Sequence, residues 1–179
     1  METAMESDGK PMTQALVFAK TTIHRRDAET IEICWPEENP PPAAVYVRDR
    51  SEQWHKAAGP EEVSDRRIII AALEPDIRPF FKIVAADESC MIVAERRITL
   101  EGAVNFRDIG GYPTADGRLV RWGRVFRSDG LSRLTDADLV VLSRLGVRHV
   151  FDFRTPSEAA DAPNRLPEAP PVAYHNLPV

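Results

Sequence analysis

Cysteine is nearly absent: Cys34 and Cys90 are the two in 179 residues. Two thiols in a chain of this length make no disulfide framework, and their spacing fits no zinc pattern, so a reducing, cytoplasmic compartment is expected. The four histidines, His24, His55, His149 and His175, are scattered without ligand spacing. No metal site and no cofactor are therefore expected. Lysine stops at Lys82, so every later basic residue is arginine. A basic excess is lacking too: the net charge of −5 excludes a general nucleic-acid binder, which needs cations to neutralise phosphates. No run approaches the roughly 18 apolar residues of a membrane span. Met1–Thr13 carries Glu2, Glu6 and Asp8 where a signal peptide requires a basic start, and reads as a disordered leader.

What is present falls into two patterns. Between residues 14 and 98, short runs rich in Val, Ile, Phe, Tyr and Trp are bounded by Pro, Gly, Asp or Glu: Ala15–His24, Glu29–Trp35, Ala43–Arg48, Arg67–Leu73, Phe80–Ala86 and Met91–Ile98. Strands at that spacing predict an all-β sandwich of fibronectin III or immunoglobulin-like type. Within Thr30–Trp35, Ile31, Ile33 and Trp35 share one face and Thr30, Glu32 and Cys34 the other. The Pro40–Pro42 run reads as a stiff surface loop.

From 99 to 179 the rhythm changes to α/β. Gly110-Gly111 predicts a sharp turn, and Asp116-Gly117 a hairpin between Gly111–Ala115 and Arg118–Arg121. Thr135 starts a helix whose apolar positions Leu139, Val140, Leu142 and Leu145 end at Gly146. Val147–Phe153 suits a strand buried on both faces. Thr155-Pro156-Ser157-Glu158 has the form of a second helix start, with Glu158 reaching back to the cap. Ala173–Val179 reads as a further strand.

Asn105–Tyr112 (NFRDIGGY), the Asp116-Gly117-Arg118 turn, Phe126-Arg127-Ser128, Leu134-Thr135, and Asp152-Phe153-Arg154 with Glu158 together resemble the front half of bacterial cysteine-dependent tyrosine phosphatases, which act on proteins and lipids. The resemblance implies a phosphocysteine intermediate, formed and hydrolysed without metal, and phosphorylated protein or phosphoinositide as substrate. It also implies a downstream loop HCxxGxxR, in which backbone N–H groups and Arg hold the phosphate. No such loop occurs in these residues, and neither cysteine follows a histidine. No catalytic residue is assigned, and a truncated chain, inactive alone, is expected. The other reading is a non-catalytic interaction module that uses the sandwich.

Asp152, Arg154, Glu158 and Arg127 are the candidates for supporting a phosphate site. Arg154 at a strand end is read first as paired with a carboxylate and second as a substrate contact. Arg107, Asp108, Gly110 and Gly111 are read as a structural turn motif, and Asp136 and Asp138 as partners of the helix dipole. An incomplete sheet would expose Val150, Phe151 and Phe153, and self-association is an expected consequence.

Overall fold

The computed structural model describes residues 18, 20–74 and 78–179. The expected leader and the opening of the Ala15–His24 run lie outside these described residues. Two compact units emerge: one holds the described residues up to Arg96 together with Ile109–Trp122, the other Arg97–Asp108 and Gly123–Val179.

In the first unit the strands are β1 (Thr22–Arg25), β2 (Ile31–Cys34), β3 (Ala44–Arg48), β4 (Trp54–Ala58), β5 (Arg67–Ile70), β6 (Phe80–Val84) and β7 (Cys90–Ala94). They form two antiparallel sheets, ordered β1-β2-β5 and β4-β3-β6-β7. Period-two alternation sends Ile31, Ile33, Ile68 and Ile70 of one sheet, and Val45, Phe81, Ile83, Met91 and Val93 of the other, into one buried cluster. Each such side chain contributes about 1.5–3 kcal/mol on leaving water. In the run Ile68-Ile69-Ile70 the middle residue is 57% exposed, because the strand's pleat outranks its composition. Glu32 is buried on the outer face of β2, where Arg26 lies 2.6 Å and Arg67 3.6 Å from its carboxylate.

β4 is the strand that the sequence pattern does not reveal. Its Trp54-His55-Lys56-Ala57-Ala58 contains no β-branched residue, and it sits at the edge of its sheet with one neighbour.

Ile109–Trp122 forms the expected hairpin in a three-residue form. Gly117 N–H bonds Thr114 O at 2.9 Å, Thr114 N–H bonds Arg118 O at 2.8 Å, and Gly117 takes φ +80°, a type I turn closed by a left-handed glycine. Pro113 has no N–H, so regular pairing shrinks to one bridge with Leu119. The hairpin is held by rings and cations. Arg96 lies over Tyr112 at 4.2 Å and Trp122 at 4.8 Å, and Arg78 lies over Trp122 at 5.9 Å and Phe80 at 5.1 Å. The indole Nε1 of Trp122 donates to Ile92 O at 3.0 Å.

The second unit contains β8 (Arg107–Asp108), β9 (Phe126–Arg127), α1 (Asp136–Arg144), β10 (His149–Asp152), α2 (Pro156–Asp161) and β11 (Ala173–Asn176). Its buried cluster joins Leu100, Ala103, Phe106, Leu131, Leu134 and Leu142. The ring of Phe106 stacks on Phe126 with centroids 5.4 Å apart. α1 starts at the Thr135 cap as expected, and Gly146 follows its end with φ +69°. Leu142 is its fully buried apolar residue, whereas Val140 is half exposed.

β10 and β11 pair in parallel, with Val150 opposite Tyr174 and Asp152 opposite Asn176. The expectation that Val147–Phe153 is buried on both faces does not hold: Phe151 is 55% and Phe153 57% exposed. β11 is the strand's sole partner among the described residues, and Val150 alone of the three packs against the core.

Candidate functional site

Ligands of open parallel sheets gather at the carboxyl ends of the strands, and β10 ends on Asp152. The Asp152 side chain is buried and held from several sides. Arg154 Nε lies 3.0 and 3.1 Å from the two carboxylate oxygens and Nη2 lies 2.7 Å from Oδ2, while Asn164 Nδ2 and the Tyr174 hydroxyl donate at 2.8 and 2.9 Å. Arg154 beside it draws the Asp152 carboxyl far below the ordinary range, against the opposing effect of burial. Asp152 in turn raises Arg154, and burial followed by the Asp152 hydrogen bond raises the Tyr174 phenol. The other end of the guanidinium donates to Ala162 O at 2.9 Å. Asn176 Nδ2 closes the strand ends by donating to the carbonyls of Asp152 and Arg154, at 3.2 and 2.8 Å.

Asp152 and Arg154 are thus brought together. Glu158 is directed elsewhere: it accepts from Thr155 N–H at 2.9 Å and Thr155 Oγ1 at 2.6 Å, completing the capping box of α2. Asn164 and Tyr174 escaped the sequence reading. Tyr174 reaches Asp152 because of the parallel register, which no local periodicity encodes, and Asn164 lies in a proline-rich loop where its side chain also accepts from Leu131 N–H at 3.1 Å.

The loop after β9 approaches this cluster, since a Cβ on Gly130 would lie 4.0 Å from Arg154 Nη1. Asp129 in that loop accepts from the N–H groups of Val104 and Asn105, both at 3.3 Å. Arg127 stands directly opposite Arg107 in the β8–β9 ladder, and Arg107 stands opposite Arg97 in an antiparallel bridge on its other side. Directly opposed residues share a sheet face, so three arginines form one row.

The Asn105–Tyr112 motif divides between roles. Asp108 is fully buried and accepts from Gly123 N–H at 2.7 Å. Gly110 and Gly111 lie against an indole: a Cβ would come within 2.5 Å of Trp122 Cα at Gly110 and 2.6 Å of Trp122 Cζ2 at Gly111, whose φ is +75°. Both glycines are therefore required by close approach, and an anion-cradling loop is not needed to account for them.

Asp138 does more than complement a dipole. Its buried carboxylate accepts from Glu101 N–H and Gly102 N–H, each at 2.8 Å, and from Thr135 N–H at 3.0 Å. Burial pushes its pKa up, but these three donors prevail and lower it.

Cys34 lacks the environment of a nucleophile. Cys34 lies on β2, where burial and the neighbouring Glu32 push its thiol above the ordinary range, opposite to the activation a thiolate needs. Cys90 is an exposed residue on β7, in the other sheet. Among the described residues no group of three or more His, Cys, Asp or Glu side chains could hold a metal ion. No helix among them is long and apolar enough to cross a membrane.

Residues 98–179 match the family model described as the tyrosine phosphatase family, and this part of the chain is similar to bacterial tyrosine phosphatases. Over 80 residues, 44% of this chain and 27% of the relative, it is 46% identical to the triple specificity protein phosphatase PtpB of Mycobacterium tuberculosis. Over 54 residues, 30% of this chain and 20% of the relative, it is 48% identical to a protein of Cupriavidus necator named "Putative tyrosine-protein phosphatase". The match therefore spans about a quarter or less of either relative's own length.

Proposed function

We propose that this chain carries the opening portion of a cysteine-dependent tyrosine phosphatase domain, residues 99–179, preceded by a fibronectin III or immunoglobulin-like sandwich at 14–98. The observation that carries the phosphatase reading is the coincidence of the family match over 98–179 with a buried Asp152–Arg154 pair at the carboxyl end of a parallel strand. The sheet orders β1-β2-β5 and β4-β3-β6-β7, with one shared core, support the sandwich.

The chemistry is hydrolysis of a phosphate monoester, of a phosphorylated protein or a phosphoinositide. A thiolate attacks phosphorus, an S–P bond forms as the ester P–O bond breaks, and the leaving oxygen takes a proton. Water then cleaves the S–P bond and releases phosphate. The thiolate belongs to an HCxxGxxR loop that these residues do not contain, so the chain alone is inactive. Asp152 and Arg154 brace the strand beside that loop, Glu158 fixes the start of α2, and Arg127 supplies positive charge. Free thiols at Cys34 and Cys90 support a cytoplasmic location.

A chain extended through an HCxxGxxR loop tests this reading. It should hydrolyse phosphotyrosine in the presence of EDTA and lose all turnover when the loop cysteine becomes serine. Turnover that survives that substitution would overturn it. The second reading is a non-catalytic interaction module that uses the sandwich. Under it, no extension of the coding sequence encodes the loop.

A further inference from the structure

We propose that Arg97, Arg107 and Arg127 form a binding site for a ligand carrying two or more neighbouring phosphate groups. Arg107 is the Cα partner of Arg97 on one side and of Arg127 on the other, both antiparallel. All three side chains consequently leave the same face of the sheet. Cβ atoms of directly opposed residues lie about 4.5–5.5 Å apart, a distance at which like charges repel.

Among the described residues, no carboxylate forms an ion pair with any of the three. Two other arginines of the second unit are neutralised, Arg154 by Asp152 and Arg165 by Asp136. An uncompensated cationic row in a chain of net charge −5 is a local departure that a bound polyanion would relieve. The residue type narrows the ligand. Guanidinium groups offer planar, paired donors that match phosphate oxygens two at a time, and three in a row suit several phosphates rather than one. Arg97 and Arg127 are exposed and Arg107 is half-buried, which makes one member of the row firmly positioned and two accessible.

The proposal deepens the phosphatase reading by indicating a multiply phosphorylated substrate class. It rests on that reading only for the choice of phosphate as the anion. The same chemistry is offered by a free inositol phosphate and by a phosphoinositide headgroup in a membrane.

Calorimetric titration of the 179-residue chain at low salt tests it. Inositol 1,4,5-trisphosphate should bind at least tenfold more tightly than inorganic phosphate. Arg97→Gln and Arg127→Gln should each weaken trisphosphate binding at least fivefold, with partial recovery in the lysine variants, while Arg133→Gln, an exposed arginine outside the row, should have no effect. Vesicles containing phosphatidylinositol 4,5-bisphosphate separate the sources: tighter binding to vesicles than to the free headgroup assigns the lipid, equal or weaker binding the soluble phosphate. Equal affinities for phosphate and trisphosphate, or an equal loss in Arg133→Gln, would overturn the site. Should Arg107→Gln fail to fold, the two exposed positions decide the matter. The readout is binding, so absence of turnover in the extended phosphatase would leave this result intact.

Discussion

The guanidinium of Arg154 turns back on Asp152, two residues earlier, with Nη2 2.7 Å from Oδ2 and the backbone N–H of Arg154 3.1 Å from Oδ1. Removing one partner of such a pair leaves the other buried without its counter-charge, which costs more than the pair contributes. Arg154→Ala is expected to lower stability by about 2–4 kcal/mol in urea unfolding. Trisphosphate affinity of the folded fraction should stay within twofold. A stable Arg154→Ala protein with lost phosphate affinity would make Arg154 a ligand contact instead.

Asp138 ties the start of α1 to the Glu101–Gly102 turn through three backbone donors. Asp138→Ala orphans them together and is expected to cost about 3 kcal/mol, as the loss of several buried hydrogen bonds to a charged acceptor. Gly102→Ala attacks the same junction sterically, because its Cβ would fall 1.9 Å from Arg133 O. Both substitutions should lower the unfolding midpoint, and the double variant should lose less than the sum of the two, since they break one junction.

The lowered carboxyls of Asp152 and Asp138, both buried, contribute to the acid limb of stability. A carboxyl depressed in the folded state contributes stability that is complete above its ordinary pKa of about 3.9 and lost as pH falls towards the folded value. Urea midpoints should be level from pH 7 to about 5 and fall below about pH 4. In Asp152→Asn the midpoint should start lower and fall less steeply, because one of the lowered carboxyls no longer titrates. Parallel curves would contradict the assignment.

Tyr112 and Trp122 of the hairpin are held by Arg96 and Arg78. Tyr112→Leu removes one ring from this stack, and hydrogen exchange should speed up severalfold at the Gly111 and Val120 amides, which bond across the hairpin. The amides of Ile33 and Ile83 in the sheets should be unaffected.

Much of this was legible in the sequence wherever a local signal determined the outcome. Thr135, Gly146 and the Thr155-Pro156-Ser157-Glu158 run predict both helices because caps act within one turn. Asp116-Gly117 predicts the hairpin because the left-handed glycine is local. What stayed hidden depends on partners distant in sequence. Trp54–Ala58 lacks β composition and becomes a strand through pairing with β3. Tyr174 and Asn164 meet Asp152 only through the parallel register and a long loop, and the alignment of Arg97 with Arg107 and Arg127 exists only once the strands pair. Glu158 looked like a site residue and a cap at once, and its hydrogen bonds go to the cap.

Hydrolysis of p-nitrophenyl phosphate by the purified 179-residue chain bears most directly on the claim that the front of a phosphatase domain is present without its nucleophile. The expected rate equals that of buffer, with and without Cys34→Ser and Cys90→Ser. Robust turnover abolished by either serine variant would contradict it, because it would make one of these cysteines the attacking thiolate.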